Sequence, residues 1–207
     1  MNLPASIVIV LSQFSIPSID RDEANRNDRL TSIAIAITRA AEHATCTGAF
    51  AVEGCKKIAS DPNVVASELM AKTEAETNLR KNVHLGACKN WECDPVRVRV
   101  KGGYVIYHQA RGLWQAHRKG AWSSAEWDSL LGTTQQATDA TAWEATKSIA
   151  GYKGMCDGGI AGAFAAYGAG RCIKPSEKMK RRARRAEAIR VRLVNLQASE
   201  AKDEPGC

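Results

Sequence analysis

Apolar positions along most of this chain recur with the period of a helix. Residues 61–80 begin with Asp-Pro, a typical N-cap and first helical residue, and Ala66, Leu69, Met70 and Thr73 then share one helix face. Similar patterns predict helices over residues 30–43, 123–131, 134–150 and 157–166, and a charged helix after Pro175. The chain is therefore expected to be mostly helical.

One stretch lacks any helical period. Residues 83–107 are interrupted by glycine and proline, the segment Val96–Val100 alternates valine with arginine, and Tyr104–Tyr107 is rich in strand-forming residues. These two segments predict a small hairpin that turns at Lys101–Gly103. The predicted fold class is mostly α, with a small β insertion and a C-terminal basic helix.

The apolar run at residues 3–17 is too short to span a membrane, and no other run is longer. It also lacks the basic start and the small-residue cleavage site of a standard export signal. We therefore predict no transmembrane segment, and we interpret residues 3–17 as a first core helix or, less readily, as an atypical export signal.

The positive charge of the chain is concentrated at its C-terminal end. The 207 residues carry a formal net charge of +7, and residues 171–207 hold eleven basic against five acidic side chains. This asymmetry argues against a uniformly basic nucleic-acid-binding domain. The run Lys178–Arg185 is either a solvated helix face or a binding segment for nucleic acid, anionic lipid or acidic wall polymer.

Six of the seven cysteines lie in pairs that are close along the chain, namely Cys46 with Cys55, Cys88 with Cys93, and Cys156 with Cys172. This spacing predicts up to three short disulfide loops, and buried free thiols are the alternative. A zinc site that combines Cys88 and Cys93 with nearby histidines matches no standard ligand spacing. We therefore predict no metal or cofactor.

A candidate catalytic carboxylate lies at the end of the 61–80 helix, where Glu74 and Glu76 compete. The helical wheel puts Glu76 slightly nearer the apolar stripe than Glu74. An apolar wall would raise the pKa of a carboxyl group and allow it to donate a proton near neutral pH. Thr77 is expected to hydrogen-bond to that carboxyl, and the alternative is that both glutamates are ordinary surface residues.

Three segments in order resemble motifs of the lysozyme-like superfamily, which includes lytic transglycosylases and phage-type peptidoglycan hydrolases. The sequence E-T-N-L at Glu76–Leu79 is similar to the family's Glu-Ser segment, A-R-G-L-W-Q at Ala110–Gln115 to A-x-G-L-M-Q, and A-Y-G-A-G at Ala166–Gly170 to A-Y-N-A-G. The chain departs from these patterns by Thr for Ser, Trp for Met and Gly for Asn. If Glu74 is aligned with the family glutamate instead of Glu76, Ala75 takes the place of the Ser and Thr77 that of the hydrophobic residue, so both of these matches are lost.

The resemblance implies a glycosidase that cleaves the β-1,4 bond between N-acetylmuramic acid and N-acetylglucosamine in peptidoglycan strands. Glu76 would be the general acid/base, and the residues expected to bind glycan are Thr77, Trp114, Gln115 and Tyr167. Cleavage would proceed by hydrolysis with a second carboxylate, or by lytic transglycosylation, in which the sugar's own 6-hydroxyl attacks. Candidates for the second carboxylate are Glu92, Asp94 and Asp157.

The same resemblance divides the chain into an N-terminal helical segment (1–60), a lysozyme-like catalytic domain (61–173) and a basic helical tail (174–207). Such an enzyme would act on the cell wall, in the periplasm, outside the cell or from a virion. The alternative function is a virion or envelope structural protein that binds peptidoglycan through a lysozyme-like fold without cleaving it. The lost Asn at Gly168 favours that alternative.

Overall fold

The computed structural model describes residues 2–14, 26–51, 53–77, 79–84, 86–88, 91–117, 125 and 134–203. Its helices are α1 (Leu3–Leu11), α2 (Arg26–Thr45), α3 (Pro62–Glu76), α4 (Lys81–His84), α5 (Gln135–Met155), α6 (Gly159–Ala169) and α7 (Glu177–Asp203). Its strands are β1 (Pro95–Val100), β2 (Gly103–His108), β3 (Ala110–Arg111) and β4 (Ala116–His117). Mostly α architecture with a small β insertion is confirmed. The helix expected over 123–131 lies outside the described residues, apart from Ala125.

One hydrophobic core joins the N-terminal segment, the central region and the C-terminal helix. Helix α3 packs against α2 and α7, α5 packs against α2 and α6, and α7 also contacts α1. Each segment contributes fully or almost fully buried side chains, including Ile7, Leu11, Leu69, Met70, Ile189 and Leu193. The predicted basic tail is therefore a core helix whose apolar stripe faces α3, and residues 3–11 form the expected first core helix.

Helix α3 starts where the sequence predicts and ends earlier. The Asp61 carboxylate accepts a hydrogen bond from the Asn63 backbone N–H at 2.8 Å, as an N-cap does. The helix stops at Glu76 instead of Arg80, because the buried Leu79 adopts a left-handed backbone with φ of 58°. The Leu79 carbonyl then accepts a hydrogen bond from the buried Arg29 guanidinium at 2.9 Å. The early end leaves Glu76 at the last helical position.

The predicted hairpin is confirmed. Strands β1 and β2 pair antiparallel from Pro95 opposite His108 to Val100 opposite Gly103, so the chain turns at residues 101–102. A second, two-residue ladder joins β3 to β4 and brackets the turn that contains Gly112. The β insertion therefore ends close to the second of the three motifs.

The three cysteine pairs predicted from neighbouring positions are disulfides, Cys46–Cys55, Cys88–Cys93 and Cys156–Cys172. The Cys88 and Cys93 sulfurs are thus bonded to each other and are not thiolate ligands for zinc. Within the described ranges, no cluster of three or more His, Cys, Asp or Glu side chains is arranged to hold a metal ion. Disulfides are compatible with an extracellular location.

None of the helices in the described part of the chain combines the length and the apolar character needed to cross a membrane.

Candidate functional site

A cavity of about 360 Å3 lies where the three motif segments meet. The end of α3 contributes Glu76 and Thr77, the turn between β3 and β4 contributes Gln115, and α6 contributes Tyr167 and Gly168. Four of the five site residues expected from the sequence therefore line one cavity, although up to 91 positions separate them along the chain.

Two cations bind the same oxygen of the Glu76 carboxylate. The Lys72 ammonium donates to Oε1 at 2.9 Å from one helical turn earlier, and the Arg182 guanidinium donates to Oε1 at 2.6 Å from α7. Arg182 also donates to the Ala75 carbonyl at 3.2 Å. The Lys72 side chain is almost completely buried and that of Glu76 is 27% exposed, so these ion pairs lie at the wall of the cavity.

The pKa of Glu76 is lowered, not raised. Burial raises the pKa of this carboxyl, but the Lys72 ammonium and the Arg182 guanidinium outweigh burial and hold the pKa below its ordinary value. The prediction of a raised pKa is wrong, because the helix neighbour Lys72 and a cation from α7 face the carboxyl together with the apolar wall. In this structure Glu76 is ionised at neutral pH.

The Lys72 ammonium contacts both that carboxylate and the Tyr167 ring. Burial is the main cause that lowers the pKa of Lys72 to about 8, and the Glu76 carboxylate opposes the effect. The Lys72 ammonium lies 4.0 Å from the centre of the Tyr167 ring, a cation–π contact. The Tyr167 hydroxyl donates to the Trp114 carbonyl at 2.9 Å, and burial raises the pKa of Tyr167. The phenol is therefore neutral and orders the second motif.

Thr77 does not bond to the Glu76 carboxyl as the sequence led us to expect. Its buried hydroxyl points to two backbone carbonyls, that of Thr73 at 3.1 Å and that of Leu113 at 3.2 Å. A hydroxyl has one proton to donate, and here the acceptors are main-chain oxygens. Thr77 therefore ties the end of α3 to the second motif, which positions the cavity wall.

The prediction that Trp114 lines a glycan groove is wrong. Its side chain is fully buried in the core, and the indole N–H donates to the Leu69 carbonyl at 3.1 Å. A ring enclosed on both faces has no surface on which a sugar can stack. Trp91 instead lines the cavity with 70% of its side chain exposed. Trp143 packs at the core edge and stacks on His43.

A steric constraint explains why the second motif has a glycine at position 112. Gly112 has a φ of 64°, and a Cβ added there would lie 2.8 Å from Cγ2 of Thr141. The turn also holds Gln115 at a φ of 51°, with its side-chain amide donating to the Gly112 carbonyl at 3.0 Å. Only glycine both adopts this conformation and fits beside α5, so Gly112 sets the position of Gln115.

Two further carboxylates line the cavity. Glu92 is buried and bonds to the Arg80 guanidinium at 2.8 Å and to the Asn82 amide at 2.5 Å. Asp94 is more than half exposed and lies 3.8 Å from the His117 ring nitrogen. Asp157, the third candidate from the sequence, and Glu74 are not among the lining residues, and Glu74 is held by Arg185 in a two-point ion pair.

A second cavity, of about 400 Å3, adjoins the first. The two share Asp94, His117, Tyr167 and Gly168. The second cavity continues along α5 and past the end of α6, where Glu144 lines it. Tyr167 therefore lines both cavities.

Lys72 and Arg182 are site residues that the sequence analysis missed. Lys72 is four residues before Glu76, and the i,i+4 spacing of a lysine and a glutamate on one helix is a signal that could have identified the pair. No comparable signal exists for Arg182, which lies 106 positions from Glu76 and reaches it only through the packing of α7 on α3.

The chain was compared with protein-family profiles, with curated proteins and with solved structures. None of the three comparisons found a match.

Proposed function

We propose that this chain is a peptidoglycan-degrading glycosidase that cleaves the β-1,4 bond between N-acetylmuramic acid and N-acetylglucosamine. Glu76 would serve as general acid/base, and the fold would be lysozyme-like. The proposal is supported by one observation above all. Glu76, Gln115 and Tyr167 come from three separate motif segments in the order of that superfamily, and they line one cavity.

General acid catalysis requires Glu76 to be protonated before the glycosidic bond breaks. In the unliganded protein Lys72 and Arg182 keep the carboxyl ionised. A glycan that fills the cavity displaces water from this carboxylate and raises its pKa by desolvation. The protonated carboxyl then gives its proton to the leaving oxygen, and the resulting carboxylate takes a proton from the attacking water or sugar 6-hydroxyl.

Asp94 is the best placed second carboxylate for a hydrolytic route. It lines both adjoining cavities and is more than half exposed, so a water molecule can reach it. Glu92 is already held by Arg80 and Asn82. A transglycosylase would not need Asp94, because the 6-hydroxyl of the bound sugar replaces water.

The second candidate function is a virion or envelope module that binds peptidoglycan without cleaving it. The observation that favours it is the pair of cations on Glu76, which opposes protonation of the presumed acid. The missing side chain at Gly168, on the wall of the cavity, points in the same direction.

Digestion of purified peptidoglycan separates these functions. We expect the wild-type protein to release muropeptides, Glu76→Gln to release none, and the control Glu74→Gln to keep wild-type activity, because Glu74 lies outside the cavity. Mass spectrometry would identify 1,6-anhydro ends from transglycosylation or reducing ends from hydrolysis.

Unchanged thermal unfolding of Glu76→Gln would establish that a loss of activity is chemical. Intact peptidoglycan that co-sediments with the wild-type protein would support the non-catalytic module. Full activity in both single variants would contradict any catalytic role of this helix end.

The exposed cations of α7 would add affinity for an anionic partner. Lys178, Lys180, Arg181 and Arg184 face solvent, whereas Arg182 is turned inward to Glu76. We propose that they hold the enzyme on acidic wall polymers in an extracellular or periplasmic setting. Nucleic acid is the other candidate partner, and salt-sensitive binding of DNA by the wild type, lost in Arg181→Gln/Arg184→Gln, would identify it.

A further inference from the structure

The β1–β2 hairpin has two chemically different faces. In the antiparallel register Val96 lies opposite Tyr107 and Val98 opposite Val105, so these four side chains share one face. On the other face Arg97 lies opposite Ile106 and Arg99 opposite Tyr104. The hairpin is thus apolar on one side and carries two arginines beside Ile106 and Tyr104 on the other.

This hairpin projects into solvent. Val98, Val100 and Val105 are 40–41% exposed, and Tyr104 and Tyr107 are 67% and 54% exposed. No described helix packs extensively on either strand, whose main packing partner is the other strand. A two-stranded hairpin with an uncovered apolar face is marginal in water, and such patches mark interaction sites.

The base of the hairpin is tied by hydrogen bonds to the residues that precede it. The Gln109 and Ala110 backbone N–H groups donate to the carbonyls of Asp94 and Cys93 at 3.1 and 3.0 Å, and His108 bonds to the Glu92 carbonyl. The Cys88–Cys93 disulfide closes the loop just before it. The two strands, each about 20 Å long, therefore extend from a hydrogen-bonded, disulfide-linked base.

The charge of the hairpin selects the partner. Residues 95–108 contain Arg97, Arg99 and Lys101 and no acidic residue. A second copy of the chain would bring like charges together, and the aliphatic valines gain nothing from a nucleic-acid backbone. An anionic lipid surface suits both faces of the hairpin. Its headgroup phosphates pair with the cations, the acyl boundary buries the valines, and tyrosines favour the membrane–water interface.

We propose that the β1–β2 hairpin is a membrane-surface anchor that binds bilayers containing anionic phospholipid. The apolar face lies at the acyl boundary, and Arg97, Arg99 and Lys101 extend to the phosphates. This proposal is independent of the activity assigned to the cavity.

Co-sedimentation with vesicles tests the anchor on the full chain. We expect binding to vesicles of mixed phosphatidylglycerol and phosphatidylcholine, little binding to phosphatidylcholine alone, and release at high salt. Arg97→Gln/Arg99→Gln should weaken binding about 30-fold, because each of the two arginines loses its attraction to the headgroup phosphates. Val98→Thr/Val105→Thr should weaken it about tenfold, since threonine keeps the β-branched shape and the strand propensity but loses a methyl group.

Matched controls are available elsewhere in the chain. Val191→Thr/Val194→Thr changes two helix valines of similar exposure, and Lys56→Gln/Lys57→Gln removes two exposed positive charges from the segment before α3. Both controls should bind vesicles as the wild type does. Equal thermal unfolding of all variants would show that the hairpin changes leave the fold intact.

Three results would overturn the anchor. The first is vesicle binding that Arg181→Gln/Arg184→Gln, in the exposed basic run of α7, loses and the hairpin variants keep. The second is binding of single-stranded DNA at least as tight as vesicle binding, sensitive to the arginines but not to the valines. The third is a concentration-dependent dimer that Val98→Thr/Val105→Thr dissociates, without any vesicle binding.

Discussion

Glu76 places one carboxylate oxygen between a buried ammonium and a guanidinium. Its pKa is lowered by Lys72 and Arg182 against the effect of burial, so its contribution to stability is present above the ordinary carboxyl pKa of 4.5. That contribution is lost as the pH falls through the lowered pKa of the folded state. The site residue thus also acts as a tie between α3 and α7.

Removing Arg182 should weaken this tie and raise the pKa of Glu76. In Arg182→Met we expect the free energy of unfolding at neutral pH to fall by about 1–3 kcal/mol, because a mostly buried ion pair loses a partner. Carboxyl NMR titration would follow the pKa of Glu76. The control Arg185→Met breaks the more exposed pair with Glu74 and should cost less than about 1 kcal/mol. Equal losses in both variants would contradict the special role of Arg182.

Lys72 predicts a rise of stability with pH in a second, more alkaline window. Its pKa is about 8 in the folded protein against an ordinary value of 10.5, so between these pH values the unfolded chain binds more protons. Stability should therefore rise with pH across this window, by an amount on the order of 3 kcal/mol for this group alone. Chemical denaturation at several pH values would measure the slope. The rise should disappear in Lys72→Met, and a variant that keeps the slope would assign it to other groups.

At the scale of single elements, local patterns identified the helices and the hairpin well. The Asp61 N-cap, the buried stripe of α3 and the turn at 101–102 follow from nearest neighbours along the chain. The end of α3 does not. Leu79 leaves the helix because the core accepts its side chain in a left-handed conformation, which no local period predicts.

The turn that holds Gln115 gives a test at this scale. Gly112→Ala should destabilise the protein by about 2–4 kcal/mol, since the new Cβ meets Thr141 and φ is positive. Gly102→Ala, at a positive φ with open space around it, should cost only about 1 kcal/mol. Thermal unfolding would measure both variants. The double variant Gly112→Ala/Thr141→Ala should recover part of the loss, and no recovery would show that the clash is not the cause.

At the scale of the whole molecule, α7 turns a basic segment into part of the core. Two of its arginines pair with Glu74 and Glu76, so part of the C-terminal positive charge is neutralised by carboxylates of α3. The same helix buries Ala186, Ile189 and Leu193. Helix α7 therefore holds the end of α3, where Glu76 lies, through the Arg182 contact.

We expect the core side of α7 to carry its stability. Ile189→Ala and Leu193→Ala should each lower the free energy of unfolding by about 2–5 kcal/mol, because each leaves a cavity against α3. Val191→Ala and Val194→Ala, on the exposed side, should change it by less than about 0.5 kcal/mol. Urea unfolding would compare the four variants. Similar small effects in all four would mean that α7 is a detached tail after all.

The sequence by itself determined the helical class and the hairpin, and it indicated the cysteine pairs and the three segments that meet at the cavity, because periodicity, turn chemistry and short spacing are local properties. Only the tertiary structure decided the environment of Glu76, the burial of Trp114 and the role of α7. Those depend on which distant side chains arrive at the same place. A carboxyl beside an apolar stripe has a raised pKa until a buried ammonium and a guanidinium from another helix both reach it, and a motif tryptophan faces the core or the groove according to the packing around it.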